Sequence, residues 1–94
     1  MRKYEAIFIF RPEEEHVSQG TATVQEEFKN SGITVLKQDD MGKKDLAYEI
    51  KKNLRGHYIC YHIETEPTSL KPLEKNLRLK QEILKFVFFK DESK

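Results

Sequence analysis

Between Lys3 and Arg11 the chain alternates without a break. Tyr4, Ala6, Phe8 and Phe10 fall on one side, and Glu5, Ile7, Ile9 and Arg11 on the other. A period of two is the mark of a β-strand. Both sides carry bulky apolar groups in the middle, which predicts a central strand that must be flanked by other strands and covered on at least one face. A chain of 94 residues has to meet that demand with few other elements, so the remaining pattern is strongly constrained.

After this strand, Pro12 predicts a first helical turn, and Glu13, Glu14 and Glu15 sit where the positive end of a helix dipole favours anions. Val17, Thr21, Val24 and Phe28 follow at helical spacing, and Gly32 suits the position just past the helix end. Gly20 inside the helix costs about 1 kcal/mol relative to alanine. Ile33 to Gln38 reads as a second strand, interrupted around Asp40-Met41-Gly42 and resumed from Leu46 to Lys51, which predicts one long bent strand. Gly42-Lys43-Lys44-Asp45 reads as a charged turn within it, and Lys52 to Gly56 as a hairpin loop. His57 to Glu64 is the third strand, with Ile59, Tyr61 and Ile63 opposite Tyr58, Cys60 and His62. Ser69 is the expected N-cap of a second helix, which puts Pro72 at its third position, where a missing N–H costs nothing. Leu70, Leu73 and Leu77 make its apolar stripe. Ile83 to Lys90 is the last strand, Phe86 and Phe88 lying opposite Val87 and Phe89.

The order β-α-β-β-α-β with short connections predicts an α+β, ferredoxin-like sandwich: a four-stranded antiparallel sheet with both helices on one face. It is expected to be a single domain over residues 1–94. The helix-facing core should draw on Tyr4, Ala6, Phe8, Phe10, Val24, Phe28, Val35, Leu46, Ile59, Tyr61, Ile63, Leu73, Leu77, Phe86 and Phe88. The other sheet face keeps Ile7, Ile9, Tyr58, Val87 and Phe89, with nothing further in the chain expected to cover them. A contiguous apolar patch of that kind marks a protein interface.

Charge narrows the function. The formal net charge is only +1, yet Glu13 to Glu27 holds five acids and no Lys or Arg. Lys71 to Lys90 holds six basic residues against Glu74 and Glu82, and Gly42 to Arg55 five against Asp45 and Glu49. Segregated basic patches suit phosphate backbones, although a solvated face is the ordinary explanation for any surface lysine. Catalysis has little to stand on. There is no nucleophile elbow, phosphate loop or glycine-rich fingerprint, and a solvated helix face accounts for the Glu13–Glu15 run. Cys60, His62 and nearby His57 lack the paired spacing of a zinc site, so no metal and no cofactor are expected. A metal- or small-molecule-binding regulator is thereby disfavoured. The single Cys60 cannot make an internal disulfide, and the start of the chain lacks an apolar signal region. Both point to the cytoplasm. No apolar run is long enough for a membrane span.

Arg55 to Tyr61 faintly matches the third-strand motif of RNA-recognition modules, which share this element order and stack bases on open-sheet aromatics. Here Tyr58 replaces the motif's small residue, and Ile7 and Ile9 stand where aromatics would be needed. A free-standing single-strand RNA-binding module is therefore the alternative reading.

Four separated motifs, in order and in register, resemble the bacterial small-subunit ribosomal protein six family. They are Arg2-Lys3-Tyr4-Glu5, the stretch Gly42-Lys43-Lys44-Asp45-Leu46-Ala47-Tyr48-Glu49-Ile50-Lys51, Gly56-His57-Tyr58, and Leu73 to Leu79 followed by Ile83-Leu84-Lys85. The resemblance runs from residue 2 to about residue 90. It implies a ferredoxin-like fold, no enzyme activity, a structural role in the small ribosomal subunit, and binding to small-subunit ribosomal RNA jointly with ribosomal protein eighteen. It also implies that Arg2, Lys3, Arg78, Lys80 and Lys85, which match basic positions of the family, contact phosphates. The open-face residues Ile7, Ile9, Tyr58, Val87 and Phe89 are assigned to the protein partner from their apolarity. No small-molecule substrate is expected.

Overall fold

A computed structural model describes residues 2–90. Strand β1 (Arg2–Phe10) leads to helix α1 (Glu14–Asn30), strands β2 (Thr34–Ile50) and β3 (Asn53–Thr65), a 3-10 turn over Pro67–Ser69, helix α2 (Leu70–Leu77) and strand β4 (Ile83–Lys90). The sheet order is β2-β3-β1-β4, and every neighbouring pair is antiparallel. This is the expected ferredoxin-like architecture, and β1 is indeed central.

Tyr4, Ala6, Phe8 and Phe10 turn toward the helices and are buried with Val24 and Phe28 of α1, Leu73 and Leu77 of α2, and Ile59, Tyr61 and Ile63 of β3. Phe8 is the hub. Its ring lies 5.5 Å from Tyr61 and 6.1 Å from Phe28, both edge-on, and 5.8 Å from Phe86. Such pairs add about 0.5–1.5 kcal/mol each beyond their area burial. Burial drives the Tyr61 phenol well above its usual range, helped by the negative charge of Asp40.

Gly32 (φ +70°) ends α1 as expected. Its N–H donates to the Lys29 carbonyl and the Ile33 N–H to that of Phe28, while Ile33 and Phe28 share the core. This is a Schellman cap with its hydrophobic contact. Gly20 has a packing reason for its cost to the helix: a Cβ there would sit 2.5 Å from Cδ1 of the buried Phe10 ring.

Several local expectations are corrected. Pro12 lies outside α1, whose N-cap is Glu13 in extended conformation. The Arg11 N–H donates to the Glu82 carbonyl, and its Nε–H to that of Gln81, which ties the strand exit to the approach of β4 and holds it out of the helix. Ser69 does stand at the N-cap position of α2, but its backbone is already helical, continuing the 3-10 turn, and its side chain makes no cap. Gly42–Asp45 is not a turn but part of β2, whose 17 residues run unbroken through several irregularities. The hairpin turn is Lys51–Lys52, not Lys52–Gly56: both lysines have positive φ (48° and 66°), and Ile50 pairs directly with Asn53. Two such residues match the strand twist in the tightest hairpins.

Two expected core residues fall elsewhere. Val35 pairs with helix-facing Ile63 but is 38% exposed, because β2 is an edge strand of the sheet. Leu46 lies on the opposite sheet face. The expected interruption of β2 consists of two bulges, between Val35 and Lys37 and between Asp40 and Gly42. One bulge inverts the alternation of side chains; the second restores it, so Leu46 emerges on the helix-free face.

Candidate nucleic-acid and partner interface

The strand register builds the helix-free face. Ile7 stands between Cys60 and Val87, Ile9 between Tyr58 and Lys85, and Glu5 between His62 and Phe89. All five apolar residues assigned to a partner therefore share one continuous surface. Val87 and Phe89 are exposed, Ile7 and Tyr58 half-buried. Ile9 is buried, at 9% exposure. The long β2–β3 hairpin covers it: Leu46, Ala47, Tyr48 and Ile50 surround Ile9 together with Tyr58 and Lys85. The expectation that nothing in the chain covers this face thus fails at the Ile9 end, while among the described residues Val87 and Phe89 stay exposed. Gly56 permits the close approach, since a Cβ there would meet Ile9 Cγ2 at 2.4 Å.

The arm is pinned at its tip. The Lys51 ammonium donates to the Ile83 carbonyl at 3.1 Å, and that of Lys85 to the Tyr48 hydroxyl at 3.0 Å while lying 5.7 Å from the centre of the Tyr48 ring. Lys44 stands over the Tyr58 ring at 5.6 Å. That aromatic face is therefore already occupied by a cation.

Farther along the face, His62 lies between Asp39 (Nε2 to Oδ2, 3.3 Å) and Glu5 (Nδ1 to Oε1, 3.6 Å), with Cys60 Sγ 4.0 Å from Nε2. Burial raises the Cys60 thiol, and the charges of Glu5 and Asp39 add to the rise. A thiol so protonated is a poor nucleophile. Among the described residues no three His, Cys, Asp or Glu side chains are grouped as a metal site.

On the helix side, Asp40 stabilises the bulge in β2. Its Oδ1 accepts from the Gly42 N–H at 2.9 Å and lies 2.6 Å from His57 Nε2. Burial pushes the Asp40 carboxyl up, but the hydrogen bonds from Gly42 and His57, with the charge of His57, outweigh it and hold the carboxyl below its ordinary value.

The five cations expected to contact phosphate do not form one patch. Arg2 and Lys3 pair with Thr65 and Glu64 at one end of β1, whereas Lys85 pairs with Ile9 near the other end. Six residues of extended strand separate Lys3 from Ile9, roughly 20 Å. Lys80 reaches α1 instead, its ammonium 3.7 Å from Glu27 Oε2. Arg78 and Lys85 do share a cleft, and they share it with Lys51. Sequence reasoning missed Lys51 because it places the turn one residue late and gives no sign of how far the hairpin folds back.

An antiparallel sheet with both helices on one face, exposed apolar residues on the other and cations at both ends of its central strand pair defines a ferredoxin-like module built around an open sheet surface. Comparison with known proteins makes this specific. Residues 3–90 match the family model for ribosomal protein S6. The small ribosomal subunit protein bS6 of Helicobacter hepaticus is 38% identical over all of this chain and 70% of its own length. That of Treponema pallidum is 30% identical over 99% of this chain and all of its own. The crystal structure of 30S ribosomal protein S6 from Thermotoga maritima superposes with a TM-score of 0.86 at 29% identity, covering 96% of this chain and 87% of that one. The C-terminal domain of the MgtC protein from Mycobacterium tuberculosis, at 16% identity and TM-score 0.67, shares the fold alone. The chain belongs to the ribosomal protein S6 family. Its role is accordingly that of a structural ribosomal protein, not an enzyme, at work on the cytoplasmic ribosome. Among the described residues no helix is long and apolar enough to cross a membrane.

Proposed function

We propose that this chain, as one domain over residues 1–94, binds small-subunit ribosomal RNA jointly with ribosomal protein eighteen. The helix-free sheet face takes the protein, and of the expected cations Arg2, Lys3, Arg78 and Lys85 meet RNA phosphates, Lys80 being paired with Glu27. The observation that carries this reading is the exposed pair Val87 and Phe89 beside half-buried Ile7 and Tyr58, an apolar strip in a chain of formal charge +1. So small a net charge gives little long-range pull on RNA, so a second protein has to supply affinity through that strip. Ile9 supports the strip from below by seating the hairpin.

Filter binding with and without the partner protein tests this. The partner is expected to raise RNA affinity strongly; equal affinities in the two cases refute joint binding. Phe89→Asp should abolish the enhancement with the circular dichroism spectrum unchanged, because a charge desolvated in an interface costs several kcal/mol. Ile9→Asp should instead lower stability, since Ile9 is buried under the hairpin. If Phe89→Asp leaves the ternary complex intact, the partner docks elsewhere.

A further inference from the structure

Three elements far apart in sequence bound one cleft of about 370 Å³: the β2–β3 turn through Lys51, the end of α2 through Glu74, Leu77 and Arg78, and the start of β4 through Ile83, Leu84, Lys85 and Phe86. Its cations differ from three basic side chains elsewhere on the surface. Lys80, Lys37 and Arg55 are paired with Glu27, Asp39 and Asp45. Among the described residues Lys51 and Lys85 are held by neutral oxygens, the Ile83 carbonyl and the Tyr48 hydroxyl. Those bonds fix the ammonium groups in place without neutralising them. Arg78 is exposed and makes no ion pair among the described residues. Glu74 is the single carboxylate among the residues lining the cleft.

The turn that delivers Lys51 is itself informative. Both central residues are lysines with positive φ, 48° and 66°, where Asn-Gly is the favoured pair. Left-handed backbone costs about 1–3 kcal/mol at each non-glycine residue. Strain of this kind persists where the side chains serve a purpose, and here one of the two lysines is anchored beside two further cations.

We propose that this cleft is a phosphate-binding site for an RNA backbone, with Lys51, Arg78 and Lys85 as its cations. The proposal rests on the RNA-binding reading above and sharpens it: phosphate contact concentrates at the β4 edge. Lys51 belongs to the contact set and Lys80, already paired with Glu27, does not. The contact is to phosphate and not to base edges, because the fixed lysines are point charges and the nearby ring of Tyr48 already carries the Lys85 ammonium. Such contacts position a nucleic acid without reading its sequence.

The test measures log affinity against log salt for the complex of this chain, ribosomal protein eighteen and small-subunit ribosomal RNA. The triple variant Lys51→Gln, Arg78→Gln, Lys85→Gln should flatten the slope by about 2–3, since each lost phosphate contact removes roughly 0.7–0.9. A control triple variant on α1 and the opposite sheet edge, Lys29→Gln, Lys37→Gln, Lys43→Gln, should leave the slope unchanged. Arg78→Gln alone should remove about one contact's share with the urea midpoint unmoved, which excludes unfolding as the cause. Lys80→Gln should leave the slope as it is. An unchanged slope in the cleft variant, or equal flattening in the control, overturns the cleft. Wild-type co-sedimentation with the small subunit separates the two levels: if wild type sediments and the cleft variant keeps its slope, the cleft fails and the ribosomal reading stands.

Discussion

Gly56→Ala should destabilise the protein by displacing the hairpin from Ile9. A Cβ at residue 56 would lie 2.4 Å from Ile9 Cγ2, with Leu46 Cδ2 and the Phe10 carbonyl oxygen each at 3.4 Å. Carbon atoms rest about 3.5–4.0 Å apart, so Ile9 or the strand must retreat by roughly 1 Å or more. Ile9 has little room, being 9% exposed between β1's two neighbours. Overpacking of this kind costs about 1–3 kcal/mol. Replacing a strand glycine by alanine returns about 0.5–1 kcal/mol of backbone entropy, leaving a net loss of about 1–2 kcal/mol. At about 4–8 °C per kcal/mol for a domain of this size, Tm should fall by roughly 5–15 °C. Urea unfolding of a double-mutant cycle with Ile9→Ala isolates the contact. Ile9→Ala alone should cost about 2–5 kcal/mol. In that background the added methyl enters vacated space, so Gly56→Ala should be neutral or stabilising, giving a coupling of about 1–3 kcal/mol. If Gly56→Ala is harmless in the wild-type background, or has the same effect in both, the hairpin does not rest on Ile9 and the account of the covered face is wrong.

Gly20→Ala should also destabilise, against the helix-propensity gain of about 1 kcal/mol, because its methyl would meet the Phe10 ring at 2.5 Å; a raised urea midpoint would show that the ring yields freely. Asp40→Asn should flatten the acid limb of the stability curve. The folded carboxyl lies below the ordinary value of 3.8, so the unfolded state binds more protons at low pH. The contribution is complete above that value and is lost as pH falls through the lower folded one. Asp40 is 59% exposed, so solvent screening keeps the effect small. Identical acid limbs for wild type and variant would remove Asp40 from the account.

Local rules determined much of this protein from the sequence alone. The alternation of Tyr4 to Phe10, the apolar spacing of Val24 and Phe28, Gly32 at the end of α1 and Pro72 in the first turn of α2 each depend on near neighbours in the chain, and the element order then admits few sheet topologies. The open face was legible for the same reason: Ile7, Val87 and Phe89 follow strand periodicity. The tertiary structure decided what depends on long-range placement. Two bulges in β2 cancel, so Leu46 stays on the face opposite Val35; a single bulge would have put both toward the helices, and local pattern does not count bulges. The tight Lys51–Lys52 turn let the hairpin fold back over Ile9, and Gly56 allowed the approach. The five basic residues grouped by family likeness separated once the register set Arg2 and Lys3 at one end of β1 and Lys85 near the other. Lys80 found Glu27 across the helices, and Lys51, from a different element, completed the cleft. Charge along a sequence records how many cations a segment carries, but which of them stand together and unpaired is settled only when strand register and helix packing fix the distances between them.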